Sequence, residues 1–138
     1  MRGTPGKALL LIGALHEAVG IAAGVGALPP SDGPPRNLFR EIIAAGVVGA
    51  IEPDRLRTVL FWYLFFGLVL LMLGWTLDRW ELRGDTLPAS VGWQLAALAL
   101  MGGLLIPASG FWLALVPAIW ILRSAYERRR APSRALSL

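Results

Sequence analysis

The sequence predicts an all-α fold: a polytopic membrane four-helix bundle with an additional interfacial or re-entrant helix in the first outer loop. Three observations lead there. Hydrophobic residues make up 56% of the 138-residue chain and charged residues 16%, too much apolar surface for a soluble domain of this length to hide. The apolar residues come in long uninterrupted runs rather than in amphipathic patterns. The Lys and Arg residues gather at the ends of those runs, more on one side than the other.

The first run, Ala8 to Leu28, is long enough to cross a hydrocarbon core of roughly 30 Å. It is Ala, Leu, Ile, Val and Gly throughout except for His16 and Glu17. Arg2 and Lys7 before it, and small residues near Ala27, also resemble a signal peptide. A charged pair inside the apolar region argues for a retained helix instead. The connection Pro29 to Asp54 begins as a stiff irregular link, with Pro29, Pro30, Gly33, Pro34 and Pro35. Residues 37–51 then place Phe39, Ile42, Ile43, Gly46 and Ala50 on one helical face, with Arg36 and Arg40 off it. Too short to cross, this segment is the interfacial or re-entrant helix, ended by Pro53. Glu41 beside Arg40 reads as a solvated pair at headgroup level.

The second span covers 57–78 and is uncharged from Thr58 to Leu77. The third covers 90–106, with Gln94 as its one strongly polar side chain. Pro107, Ala108, Ser109 and Gly110 make a tight turn. The fourth span follows at 110–125, with a kink expected at Pro117. Residues 1–126 thus form a single transmembrane bundle, and 127–138 a basic cytoplasmic tail. Trp75, Trp80, Trp93, Trp112 and Trp120 lie near span ends, as an aromatic belt requires.

Four spans put both termini on one side. That side holds Arg2, Lys7, Arg79, Arg83, Arg123, Arg128, Arg129, Arg130 and Arg134, whereas the other holds Arg36, Arg40, Arg55 and Arg57. The imbalance places both termini in the cytoplasm and the protein in the inner (cytoplasmic) membrane. The net charge of +4 then follows from topology, and no nucleic-acid partner is expected, because the basic tail lacks an aromatic platform for bases. Membrane lipid is the expected contact of that tail. With no cysteine, disulfides, thiolate chemistry and thiolate metal sites are excluded. One His and one intramembrane Glu are too few for a metal centre. No metal and no cofactor are expected, a haem shared between His16 of two protomers being the one arrangement left open.

Ionisable groups at bilayer depth are costly and mark function when they are kept. At about 100° per residue, Gly13, Gly20 and Gly24 project between His16 and Glu17, opposite a bulky face of Leu11, Leu15, Ala18, Ala22 and Val25. The pair therefore points into the bundle, on a side whose small residues let another helix approach. Tyr63, Gly67, Leu70 and Gly74 recur at helical spacing in the second span. That stripe is expected to face the first helix, with the Tyr63 hydroxyl available to the polar pair. Gln94 and Trp62 complete the candidate ligand pocket. Asp78, at the end of the stripe, sits where the helix dipole disfavours an anion, so a cation such as Arg79 or a tail arginine is expected beside it.

Three pieces carry a resemblance: Gly-x-x-His at Gly13 to His16, Phe-Trp-x-x-Phe-Phe-Gly at Phe61 to Gly67, and Pro-x-Ser-Gly-Phe-Trp at Pro107 to Trp112. With the segments around them, the chain resembles an uncharacterised family of small bacterial four-helix integral membrane proteins, a domain of unknown function. The resemblance implies the fold and weight on His16, and brings no activity. The glutamate in the first of four short helices is also similar to small multidrug resistance exporters, whose other motifs do not line up.

Three functional readings follow. The first is a helix bundle that binds a lipophilic small molecule, a copy of itself or a partner membrane protein through the His16/Glu17 site. The second is a membrane-embedded acid/base enzyme, an isomerase or cyclase of isoprenoid or sterol-like substrates, with Glu17 as acid and His16 as base or orienter. The third is a small proton-coupled exporter.

Overall fold

The computed structural model describes residues 4–28, 33–46, 54–107 and 109–135, the side chains of 131–135 excepted. All regular structure among them is helical. The elements are α1 (Pro5–Gly24), α2 (Leu38–Ala45), α3 (Arg55–Leu82), α4 (Ala89–Leu105), a 3₁₀ turn (Gly110–Ala114) and α5 (Leu115–Ala135). Helices α1 and α3 are long and apolar enough to cross a membrane, and only 22% and 17% of their apolar windows are buried. The chain divides into two compact units, one of Met1–Ile12 with Met72–Leu138 and one of Gly13–Leu71.

Several bounds depart from the expectation, each for a local reason. Helix α1 stops at Gly24 rather than continuing to 28, because Gly26 turns left-handed (φ 78°). The Gly26 N–H then donates to Ala23 O and the Ala27 N–H to Ala22 O, which satisfies carbonyls that the helix end leaves open. Helix α2 stops at Ala45 for the same reason, with Gly46 at φ 75° as its cap. Residues 47–51 of the expected interfacial helix, and Pro53 after them, lie outside the described residues.

Helix α3 begins earlier than expected because Asp54 caps it. Its Oδ1 accepts from the Leu56 and Arg57 N–H groups at 2.9 and 3.2 Å. The expected kink at Pro117 is corrected. Residues 110–114 are 3₁₀, so Pro117 falls in the first turn of α5, where its missing N–H removes no helix bond. Helix α5 then runs through the expected tail to Ala135, helped by Arg130 stacked 4.4 Å over the Tyr126 ring one turn earlier.

In the unit that contains the chain ends, α4, the 3₁₀ turn and α5 form a helical hairpin. Leu95, Ala99, Ala114, Ala118 and Ile121 are buried at or below 6% exposure. Glycines set its closeness: a methyl group on Gly92 would lie 2.8 Å from Leu122 Cγ, and one on Gly103 2.6 Å from the Trp112 ring. Ser109 caps the 3₁₀ turn and the Trp112 indole donates to Pro107 O at 3.0 Å. The start of α1 lies tight on the end of α3, where a Cβ on Gly6 would lie 2.6 Å from Asp78 Cα. Leu9 and Leu77 are fully buried there.

This contact also answers the question raised by Asp78. Its Oδ1 accepts from the Thr4 hydroxyl at 3.3 Å, and Glu81 Oε2 accepts the Gly6 N–H at 3.0 Å. The expected cation is thus corrected to a helix terminus: the Thr4 hydroxyl before α1 meets Asp78, and one of the open N–H groups of α1, that of Gly6, meets Glu81. Arg79 turns elsewhere, 5.3 Å over the Trp75 ring.

Candidate functional site

The other unit, Gly13–Leu71, contains His16, Glu17 and Tyr63. Its helices approach through glycine. A Cβ on Gly13 would lie 3.0 Å from Leu71 Cδ2, and one on Gly20 2.6 Å from Leu64 Cδ2 and 2.9 Å from Tyr63 Cδ1. The stripe of Tyr63 and Gly67 on α3 therefore faces the glycine side of α1, as the spacing of both predicts.

The pair sits where these faces meet. The His16 imidazole stacks on the Tyr63 ring, centroids 3.7 Å apart and planes within 10°, and meets the edge of Phe66 at 5.7 Å. Its Nε2 lies 3.0 Å from Tyr63 O. A carbonyl only accepts, so Nε2 carries the hydrogen and donates, and Nδ1 is the ring nitrogen turned to other partners. The expected role of the Tyr63 hydroxyl is corrected here: His16 engages the residue through its ring face and its carbonyl.

Glu17 occupies the gap left by the absent side chain of Gly67. A Cβ there would overlap Glu17 Oε1 outright and would lie 2.9 Å from both Glu17 Cδ and His16 Cδ2. Glu17 Oε1 is buried and has no hydrogen-bond partner. Buried polar atoms are almost always satisfied, so an orphaned carboxyl oxygen marks a place where a donor is needed. Sequence reasoning placed Gly67 on the facing stripe but missed it as the seat of Glu17. The signal was present as a glycine one helical turn after Tyr63, on the side that faces a charged residue.

The other expected pocket residues are Trp62 and Gln94. Trp62, next to Tyr63 and so about 100° around the helix, is 59% exposed and packs edge-on against Phe61 and Phe65. It does not join the imidazole. Gln94 lies on α4, in the first unit, with its side chain exposed. Among the described residues no group of three or more His, Asp or Glu is arranged to hold a metal ion.

A second polar cluster in this unit was not anticipated. Arg36 donates to Glu41 through Nε at 3.0 Å and again through Nη2, and to Asp54 Oδ2 at 2.6 Å. Arg57 Nε stands 3.6 Å from Asp54 and 3.8 Å from Glu41. Glu41 thus pairs with Arg36 and Arg57 rather than with Arg40, whose side chain is exposed and whose N–H caps on Asn37 Oδ1. The hydrogen bonds from Arg36 hold the Glu41 carboxyl below its ordinary value and bring Asp54 down to about 2. The same bonds raise the Arg36 guanidinium. The cluster fastens α2 to the start of α3. Phe39 of α2 rests on Gly24 of α1, where a Cβ would lie 2.7 Å from Phe39 Cζ. Leu38 and Phe39 are thus the inward residues of α2. Ile43, expected on that face, is 78% exposed.

Residues 2–128 match the family of unknown function DUF6463. No curated protein and no solved structure matches the chain at significance.

Proposed function

The chain belongs to the family of unknown function DUF6463, and from that premise we propose that it is a small multi-pass protein of the cytoplasmic membrane that binds a lipophilic molecule at His16 and Glu17. The ligand carries a hydrogen-bond donor, a hydroxyl or an ammonium group, on an otherwise apolar body. The observation that carries this reading is Glu17 Oε1, buried on Gly67 without a partner. Beside it, His16 is fixed by the Tyr63 ring and carbonyl, and in the neutral form of the ring Nδ1 accepts. The two acceptors suit a donor arriving from an apolar medium, where an unmet hydrogen bond is costly for both sides.

The membrane part of the reading has separate support. Leu11, Leu15, Val19 and Ile21 of α1 are 50–61% exposed, and so are Trp62, Phe65 and Leu68 of α3 at 52–59%. Exposed apolar faces of this extent are met by hydrocarbon rather than water. Four spans, with α4 and the 3₁₀ turn plus α5 as the third and fourth, put α2 on the outer side and both termini in the cytoplasm. Because the chain has no cysteine, single substitutions report topology cleanly. Pro34→Cys is expected to react with an impermeant maleimide added outside intact cells, and Ser137→Cys only after lysis. Labelling of both from one side would refute the arrangement.

Ligand binding is tested by native mass spectrometry of the full chain released from membranes into detergent, followed by organic extraction. A co-purifying apolar molecule is expected with the wild type, at reduced occupancy in Glu17→Gln and His16→Phe. Equal occupancy in all three would overturn the reading. Conversion of the bound molecule by the wild type and not by Glu17→Gln would turn the site from a binding site into an acid/base catalyst.

A further inference from the structure

The cytoplasmic end of α3 sorts its charges by face. Asp78 and Glu81 are occupied by the start of α1. At about 100° per residue, Met72, Trp75 and Arg79 form a stripe roughly 120° around α3 from those carboxylates, and Arg83, just past the helix end, continues it with its N–H donating to Arg79 O at 3.3 Å. Met72 is 70% exposed and Trp75 56%, and both arginines are exposed. A groove of about 460 Å³ runs along this stripe, lined by Trp75, Thr76, Arg79, Leu82 and Arg83. Trp75 lines it toward the middle of the helix, and Leu82 and two guanidiniums four residues apart line it at the end. The Arg79 guanidinium is already placed over the Trp75 indole, 5.3 Å from its centroid, which holds it in the groove. Arg83 has Asp85 at 3.6 Å, an exposed pair that a stronger anion displaces. The Thr76 hydroxyl is used within the helix, on Met72 O.

The geometry points to a binding site for one anionic phospholipid of the inner leaflet. The phosphate lies between Arg79 and Arg83, the glycerol region on Trp75 and an acyl chain along Met72. Charge complementarity selects the anionic headgroup, and the exposed apolar stripe of Trp75 and Met72 next to the groove selects a lipid over a free anion. The inference rests on the membrane reading and is independent of the His16/Glu17 site.

The test is native mass spectrometry of the full chain in mixed micelles holding equal phosphatidylglycerol and phosphatidylcholine. Wild type is expected to retain phosphatidylglycerol preferentially. Each arginine near a charged headgroup contributes about a fivefold preference, so Arg79→Gln with Arg83→Gln lowers it about twenty-five-fold. Circular dichroism checks that this variant keeps its helix content. Arg129→Gln with Arg130→Gln removes two charges of the basic tail, outside the groove, and lowers the preference less than the groove variant does, and Trp75→Ala weakens retention of both lipids. An unchanged preference in the Arg79/Arg83 variant, or one lost instead with Arg129 and Arg130, overturns the site. Displacement of the lipid by excess inorganic phosphate alone would assign the groove to a free anion and overturn it too. Failure to enter vesicles at all would remove the membrane reading and this site together, whereas insertion without a preference removes this site alone.

Discussion

Replacing Gly67 by alanine tests whether Glu17 really sits in the space the glycine leaves. The new methyl would overlap Glu17 Oε1 and come within 2.9 Å of His16 Cδ2. The carboxyl end can swing aside, but the imidazole is held by its stack and its bond to Tyr63 O. Overpacking of this kind costs about 1–3 kcal/mol, and a value of about 2 suits a contact with one yielding and one fixed partner. Against it stands the gain of about 1 kcal/mol from alanine over glycine inside a helix. The expected net is a loss of about 1 kcal/mol. In a Glu17→Ala background the carboxyl is gone and only the His16 contact remains, so the same substitution should be about neutral. The double-mutant cycle therefore predicts a coupling of about 1 kcal/mol between residues 17 and 67. Reversible unfolding of the four proteins in mixed detergent micelles, followed by circular dichroism, measures it. If Gly67→Ala stabilises the wild type, or shifts both backgrounds equally, Glu17 does not occupy that gap.

Other outcomes follow from the same contacts. Gly6→Ala would press on Asp78 backbone atoms at 2.6 Å, which cannot rotate away, so a destabilisation of about 1–3 kcal/mol is expected. Gly110→Ala, whose nearest neighbour is 3.9 Å away, should be near neutral in the same unfolding assay. Glu81→Ala removes the acceptor of the Gly6 N–H and is expected to cost about 0.5–2 kcal/mol, as other lost helix caps do; faster amide exchange in the first turn of α1 would locate the loss. For Asp54, hydrogen bonding to Arg36 lowers the folded value to about 2 from an ordinary 3.8. The stabilisation it brings is complete above the ordinary value and is lost as pH falls through the folded one. The protection of α2 amides, corrected for intrinsic exchange, should therefore fall between pH 4 and 2, and Arg36→Gln should weaken that pH dependence. A flat profile in the wild type would remove the cluster as the fastening of α2.

The long helices were legible because an apolar run needs no partner to declare itself. The face of α1 that carries His16 was legible too, since glycine spacing and helical geometry assign it without reference to a neighbour. Helix ends were harder. Gly26 and Gly46 close α1 and α2 by taking φ near 75–78°, a choice that glycine permits but does not announce inside an apolar run. Pro117 shows the opposite error. Its ring reads as a kink when the helix is assumed to start at 110, and becomes harmless once 110–114 wind as 3₁₀. The partners of charged groups were the least legible. Asp78 meets a helix terminus 74 residues earlier, and Glu41 bypasses Arg40 for Arg36 and Arg57.

By itself the sequence determined an all-helical chain, two helices able to cross a membrane, membership of an uncharacterised family, and the inward side of His16 and Glu17. These depend on composition and on the fixed period of the helix, which are local properties. Only the tertiary structure decided that Glu17 rests unpartnered on Gly67, that His16 donates to the Tyr63 carbonyl rather than to its hydroxyl, and that Trp62 turns away. Those outcomes depend on the depth at which two helices meet and on the rotation of each about its axis. Both are set by packing between residues about 50 positions apart in the chain.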